Sequence, residues 1–277
     1  MNYRHAYHAG NFADVMKHVL LMALIEAMQK KDKPFCVLDT HAGAGIYDLL
    51  GEQAKKSGEA DAGILRLLSA SEPPALVKRY LDLIKTLNPH HDTIKLYPGS
   101  PKIAADCLRS DDRLIVCELQ RDPYASLRDI FHSDKRVAVH HTDGYLGLKA
   151  FLPPQEKRGL ILIDPPYEAS DEFQRIARDV RPALERFATG VYAIWYPIKD
   201  KHPIDRLYRS LKQATDNSIL TVELSIYPEL GDRLTGTGLC IINPPFQFES
   251  TIKPVLAWLW KVLSVDGSGA YRAQFQK

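Results

Sequence analysis

The sequence predicts an α/β fold built on a mostly parallel sheet, and three observations carry this prediction. Short apolar runs typical of buried strands alternate with stretches of helical periodicity. Residues 228–238 alone join the last two runs, which is too short a connection for the crossover that a parallel pair needs. Residues 51–93 show helical periodicity without a strand. We therefore expect a seven-stranded sheet with an antiparallel last strand and a small helical insertion.

The first predicted element is a helix near the N-terminus. Asn11 is a residue type that caps helices, and Val15, Val19 and Ala23 then repeat at helical spacing as far as about Gln29. The seven strands are predicted at residues 35–39, 114–118, 137–140, 160–163, 191–195, 220–226 and 239–242. The chain should divide into a main domain, residues 1–50 and 94–277, and an inserted helical subdomain, residues 51–93.

Composition limits the class of protein. The chain has 277 residues, of which 45% are hydrophobic and 25% charged, as expected for a globular protein with a sizeable core. No run approaches the roughly 18 apolar residues of a membrane span, and the polar N-terminus lacks a signal-peptide core. We expect a cytoplasmic monomer with no membrane partner. Four cysteines without a C-x-x-C pair, and ten histidines without ligand spacing, predict no metal.

The strongest chemical signal is Asp164-Pro165-Pro166-Tyr167, directly after the predicted strand at 160–163. Ligands of such sheets bind at the carboxyl ends of the strands. An adenine amino nitrogen is a poor nucleophile because its lone pair is delocalised, and two acceptors aimed at its N–H groups favour a pyramidal nitrogen. The Asp164 carboxylate and the Pro165 carbonyl can supply them, and Tyr167 offers a flat face to a flipped-out base. We assign catalysis to Asp164, Pro165 and Tyr167.

A second motif of the same kind, Asn243-Pro244-Pro245-Phe246, follows the last predicted strand. If that strand is antiparallel, its carboxyl end lies at the opposite edge of the sheet. We therefore assign this motif a structural role.

A cofactor site is predicted at the ends of the first three strands. The loop at 39–45 contains His41 and two glycines, which let backbone approach a cofactor closely. This loop also suits a nicotinamide dinucleotide. Glu118 ends the next strand, where an acidic residue can bind ribose hydroxyls, and Asp143-Gly144 is placed to contact the adenine of a cofactor. The alternative role for Glu118 and Asp143 is a turn or a helix cap.

The N-terminus mixes aromatic and cationic groups, among them Tyr3 and Arg4, a combination that suits stacking on bases and contact with phosphates. Lys17 is a third candidate for contact with RNA. The alternative is a solvated tail. A further basic cluster, for which a solvated helix face is the alternative, comprises Lys199, Lys201, His202, Arg206 and Arg209. The net charge of +2 neither proves nor excludes a nucleic-acid partner.

Taken together, several of these motifs resemble one known family, the bacterial 23S ribosomal RNA adenine-N6 methyltransferases of the RlmJ type. The predicted strand layout also resembles Rossmann-like class I methyltransferases, which depend on S-adenosylmethionine (AdoMet). The motifs that carry the resemblance are Tyr3-Arg4-His5, His8-Ala9-Gly10-Asn11, Asp14, Lys17-His18, residues 38–45, Tyr97-Pro98-Gly99-Ser100-Pro101 and residues 159–167.

This resemblance implies an AdoMet-dependent enzyme that methylates one adenine of 23S ribosomal RNA, at position 2030 in the family's naming. It implies RNA free of protein, or an early assembly intermediate, as the substrate. It implies Asp164 as the proton acceptor and Tyr3 as an RNA contact. The implied AdoMet contacts are His18, His41, Ser100, Glu118, Asp143, Gly144 and Asp164.

Three other functions are open at this point. A DNA adenine-N6 methyltransferase uses the same tetrad, but such enzymes usually carry a target-recognition domain, and none is evident here. A protein-glutamine methyltransferase favours Asn where Asp164 stands. A non-catalytic nucleic-acid-binding or DNA-utilisation factor on the same fold differs in that it would not bind AdoMet.

Overall fold

The computed structural model of the chain describes residues 4–89, 94–228 and 234–276. After a 3-10 helix at His5–Tyr7, the helices are α1 Phe12–Gln29, α2 Glu52–Ser57, α3 Ile64–Ser69, α4 Ala75–Thr86, α5 Ser100–Cys107, α6 Arg121–Phe131, α7 Gly144–Phe151, α8 Glu172–Arg186, α9 Lys201–Ala214 and α10 Phe248–Leu263. The strands are β1 Cys36–Asp39, β2 Ile46–Asp48, β3 Leu96–Pro98, β4 Arg113–Glu118, β5 Val137–His141, β6 Gly159–Ile163, β7 Val191–Ile198, β8 Ile219–Ser225, β9 Gly236–Ile242 and β10 Ala270–Phe275.

The main sheet has the order β10-β8-β9-β7-β6-β1-β4-β5. The pairs among β7, β6, β1, β4 and β5 are parallel, whereas β9 is antiparallel to both β7 and β8. The predicted α/β fold and the antiparallel direction of β9 are confirmed. The expected strand number was wrong, because β10 adds an eighth strand at the edge, antiparallel to β8.

Helices cover both faces of this sheet. The central strands β1 and β6 are buried along their whole length, as the continuous apolar runs predict for strands packed on both sides. One core lies between the sheet and a layer that includes α1, α5 and α10. The other lies between the sheet and α7, α8 and α9. Because both faces of the sheet are packed, the loops at its carboxyl edge begin at strand ends that are fixed in position.

The predicted insertion contains three helices, α2, α3 and α4, flanked by β2 and β3. These two strands pair antiparallel as a separate ribbon that the sequence did not predict. Tyr80 and Ile84 of α4 are fully buried in the same core as α1, so the described insertion helices pack directly on the main sheet's helical layer. Residues 90–93, the end of the predicted subdomain, lie outside the described residues, and the division into domains stays a prediction.

Within the described ranges, none of the helices combines the length and the apolar character that spanning a membrane requires.

Candidate active site

A cavity of about 1180 Å³ opens at the carboxyl edge of the sheet, beside β1, β4 and β6. Its volume exceeds the range typical of a site for a single small ligand. Apart from the basic cluster at residues 199–209, it brings together all but one of the site residues predicted from the sequence: Arg4, Lys17, His18, His41, Ser100, Glu118, Asp143, Gly144, Asp164, Pro165 and Tyr167. The remaining residue, Tyr3, lies outside the described residues.

Asp164 follows β6 and forms an ion pair with the Lys17 ammonium, whose Nζ lies 2.6 Å from Asp164 Oδ2. The same Nζ lies 2.9 Å from Asp14 Oδ1, one helical turn earlier on α1. Lys17 is only 4% exposed. Burial alone lowers the pKa of Lys17, but the two carboxylates outweigh burial and raise it well above its usual range. Lys17 is therefore a buried cation held between two acidic groups, where the sequence suggested a contact with RNA.

Asp14 is a site residue to which the sequence assigned no role. Its carboxylate accepts hydrogen bonds from His5 Nε2 at 2.9 Å and from the Gly10 backbone N–H at 3.1 Å. Burial alone raises the pKa of Asp14, but His5, Lys17 and His18 outweigh it and hold the pKa well below its usual range. The i, i+3 spacing of Asp14 and Lys17 was the available signal for this pair.

Tyr167 is fixed by a backbone and a side-chain constraint. Its φ is +51°, which is uncommon for a residue with a side chain, and its hydroxyl donates to the Trp195 carbonyl. Its ring lies edge-on to the Trp195 ring, with centroids 5.6 Å apart, and the Lys17 ammonium lies 5.6 Å from that indole. Trp195, on β7, was missed in the sequence. Two aromatic rings, those of Tyr167 and Trp195, thus lie at the acidic end of β6.

Glu118 ends β4 and faces the glycine loop that follows β1. Its Oε2 accepts from the Gly43 N–H at 2.9 Å, and its Oε1 from the Gln120 N–H at 2.6 Å. Burial raises the pKa of Glu118. Gly43 has a φ of +65°, and a Cβ there would lie 2.2 Å from the Tyr47 hydroxyl, so the loop requires glycine.

The glycine loop leads into β2, a strand, and not into a helix. Dinucleotide-binding folds place the pyrophosphate at the N-terminus of the helix that follows the first strand. The loop at residues 40–45 is not followed directly by such a helix, although the N-termini of α5 and α7, at Ser100 and Gly144, line the cavity. Acidic side chains line the adjoining cavity, among them Asp14, Glu118 and Asp143, which favours a cationic ligand.

His18 and Ser100 lie beneath this loop. His18 Nδ1 is 2.9 Å from the Tyr97 hydroxyl, and burial lowers the pKa of His18 to about 3, so the ring is neutral. The Ser100 hydroxyl donates to Asp39 Oδ2 at 2.6 Å. Burial raises the pKa of Asp39 to about 7, although the Ser100 hydrogen bond opposes this shift. Asp39 therefore titrates close to neutral pH.

Asp143 and Gly144 line the cavity and also have structural roles. The Asp143 carboxylate caps α7 by accepting from the Tyr145 N–H, and it pairs with Arg175 at 2.8 Å. A Cβ at position 144 would lie 2.0 Å from the Thr40 carbonyl oxygen. Asp143 therefore caps a helix, which was its alternative role, and also lines the cavity. His41 packs edge-on to Tyr145, and burial lowers the pKa of His41 to about 4.

The helical insertion contributes Glu59, which the sequence did not indicate. Glu59 Oε1 lies 2.8 Å from His8 Nδ1, and its Oε2 accepts from Asn11 Nδ2 at 2.9 Å. The Ile64 N–H donates to the Gly10 carbonyl at 2.8 Å. The insertion therefore holds the N-terminal segment against the cavity.

The second motif, Asn243-Pro244-Pro245-Phe246, lies at the edge of the sheet opposite the cavity, as predicted. Ile242, the last residue of β9, pairs with Tyr192 near the start of β7. The Asn243 side-chain amide donates to the backbone carbonyl of Gly190 at 2.9 Å. Phe246 is 86% exposed and does not contribute to the cavity.

Across residues 4–89, 94–228 and 234–276, no cluster of three or more histidine, cysteine, aspartate or glutamate side chains is arranged to bind a metal ion.

The parallel sheet with β9 inserted antiparallel beside β7, and the Asp-Pro-Pro-Tyr motif facing the cavity at the end of β6, define a Rossmann-like class I methyltransferase. The family model described as "Ribosomal RNA large subunit methyltransferase D, RlmJ" matches residues 32–276. The chain belongs to this family.

Relatives match over nearly the full chain. The chain is 41% identical to "Ribosomal RNA large subunit methyltransferase J" of Haemophilus influenzae, covering 99% of this chain and 98% of the relative. It is 42% identical to the protein of the same name from Escherichia coli K12, covering 97% and 96%. A crystal structure of a Legionella pneumophila protein superposes with a TM-score of 0.88 at 41% identity, covering 97% and 98%.

Proposed function

We propose that this protein uses AdoMet to methylate the N6 amine of one adenine in 23S ribosomal RNA. The observation that carries the proposal is the position of Asp164, whose carboxylate lies at the end of β6, inside the cavity and beside two aromatic rings. The two relatives named as large-subunit ribosomal RNA methyltransferases support the RNA substrate. We expect a cytoplasmic monomer that acts on RNA still free of ribosomal proteins.

The cofactor half of the cavity fits AdoMet better than a dinucleotide. AdoMet supplies a methyl group on a positively charged sulfonium, and a cationic ligand is favoured by an acidic site. Glu118 would accept from its ribose hydroxyls, and Asp143 would face its adenine. The acidic side chains that line the cavity argue against a pyrophosphate, which is an anion. His18, His41 and Ser100 would complete the walls around these groups.

The catalytic half would orient the adenine amine. Lys17 occupies Asp164 Oδ2, so we propose that Oδ1 accepts one N6 hydrogen and the Pro165 carbonyl the other. Tyr167 would stack on the base and hold it in line with the methyl group. When the N6–C bond forms and the sulfonium–methyl bond breaks, N6 carries a surplus proton. Asp164 would accept this proton, as a general base.

The test is methylation of unmodified 23S RNA with radiolabelled AdoMet, followed by mapping of the modified base. We expect one N6-methyladenine, at position 2030, in wild-type reactions on protein-free RNA. Asp164→Ala should lower the single-turnover rate on the order of 10²-fold. The same assay on assembled large subunits tests the preference for free RNA, and duplex DNA tests the DNA alternative. Methylation of DNA alone, or undiminished activity of folded Asp164→Ala protein, would overturn the proposal.

A further inference from the structure

Helix α9 presents an unneutralised basic face next to the cavity, and we propose that this face is the docking track for the RNA backbone. The track is formed by Lys199, at the cavity mouth, and by His202, Arg206 and Arg209 on α9. The inference rests on the proposed RNA substrate. It assigns the part of this chain that binds RNA outside the pocket for the target base.

The track begins inside the site. Strand β7 ends at the carboxyl edge of the sheet, and its residues Trp195 and Pro197 line the cavity together with Lys199. Lys199 and His8 of the N-terminal segment line the same cavity. Helix α9 starts two residues later, at Lys201. A strand of RNA that leaves the cavity on this side therefore meets α9 first.

The helical arrangement places His202 and the two arginines of the track in one row. His202, Arg206 and Arg209 follow i, i+4, i+7 spacing and are exposed. The opposite face, with Ile204, Leu207, Tyr208 and Leu211, is buried against the sheet. At 1.5 Å rise per residue the row from His202 to Arg209 spans about 10 Å, enough to follow a backbone over more than one phosphate.

The neighbouring helix α8 supplies a contrast. Three of its four arginines pair with carboxylates, Arg175 with Asp143, Arg178 with Asp179 and Arg181 with Glu185. Neither Arg206 nor Arg209 forms an ion pair with a carboxylate in the part of the chain that the structure describes.

An ordinary solvated helix face carries charges of both signs, as α8 does, and needs no partner. The centre of the exposed face of α9 carries positive charge alone, and Asp205 lies at its flank. Arginines without local carboxylates are suited to phosphates, which they contact without regard to base sequence. The face thus fits a polyanion that is anchored by its backbone while one base is selected in the cavity.

The test compares two double variants on neighbouring helices. Arg206→Gln with Arg209→Gln removes two charges from the track, whereas Arg178→Gln with Arg181→Gln removes two paired charges from α8. The dissociation constant for an unmodified 23S RNA fragment is measured as a function of salt concentration. The track variant should bind RNA on the order of tenfold more weakly at about 0.1 M salt, and its salt slope should fall by about 1.4, or 0.7 for each lost contact.

Further readouts separate this inference from the proposed function. AdoMet affinity and the rate at saturating RNA should be unchanged in the track variant, because its residues lie outside the chemistry. The α8 variant should keep the wild-type salt slope. An unchanged slope in the track variant, or an equal fall in both variants, would overturn the inference. Failure of the wild-type protein to methylate any RNA, with these slopes as expected, would instead contradict the proposed function.

Discussion

Replacing Lys17 by methionine should destabilise the protein strongly, because it leaves one buried and one partly buried carboxylate without their shared cation. Lys17 lies 2.9 Å from Asp14 and 2.6 Å from Asp164, and the side chains of these partners are 3% and 13% exposed. Removing one partner from such a buried group costs about 3–5 kcal/mol. At roughly 2.1 cal/mol/K of unfolding entropy per residue, this lowers the Tm of a 277-residue chain by about 5–9 °C.

The loss should depend on pH in a definite direction. In the wild type, Lys17 helps to hold the pKa of Asp14 well below its usual range, so Asp14 stabilises the fold above its ordinary pKa and loses this effect as pH falls through the lowered value. Without Lys17 the pKa of Asp14 rises, and a proton can neutralise the buried carboxylate at a higher pH. The stability deficit of the variant should therefore be smaller at about pH 5 than at about pH 8.

The assay is thermal unfolding of both proteins at the two pH values. Lys78→Met is the matched control, because Lys78 also lies 2.6 Å from a carboxylate, that of Asp82, but the two side chains are 67% and 49% exposed. An exposed pair contributes little, so the control should melt close to the wild type. A Lys17→Met protein that melts as the control does, or a deficit that is equal at both pH values, would refute the reasoning.

Three other variants test separate parts of the site. Glu118→Gln should weaken AdoMet binding about tenfold or more in calorimetry, since an amide N–H would face the Gly43 or Gln120 N–H, and the wild type should not bind NAD. Asn243→Ala should lower the melting temperature, because φ is +56° there, while folded protein keeps its methylation rate. Glu59→Ala should slow RNA methylation and leave AdoMet affinity intact, with partial rescue by Glu59→Gln; equal loss of AdoMet binding would contradict this role.

The parts of the fold that the sequence predicts are those formed by burial. Strands β1 and β6 are buried on both faces, so their residues form continuous apolar runs. Strand β10 was missed because it is an edge strand whose side chains are mostly exposed, and Arg272 and Gln274 interrupt its apolar residues. Strands β2 and β3 have three residues each, too few for a period to show. These three strands form because they pair with a neighbouring strand, and the composition of a segment does not reveal such pairing.

Some residues of the site were likewise predictable from the sequence, and others were not. Asp164, Glu118 and Asp143 were predictable because each lies at, or within two residues of, the end of a parallel strand, and such strands share one carboxyl edge. The burial of Lys17 was not predictable from its residue type, since lysine is almost never buried without a partner. Glu59 reaches Asn11 across 48 residues of chain, a contact that no local pattern encodes.

The charges explain why a methyl donor of AdoMet's kind would bind and then leave. Among the described residues that line the cavity, Asp and Glu number ten and Lys and Arg four, so a cationic donor is attracted there. Burial raises the pKa of the neighbouring Asp39 to about 7, and a bound cation would lower that pKa and favour the ionised form. Methyl transfer removes the sulfonium charge. The attraction that favours the donor is then lost for the demethylated product, which promotes its exchange for fresh donor.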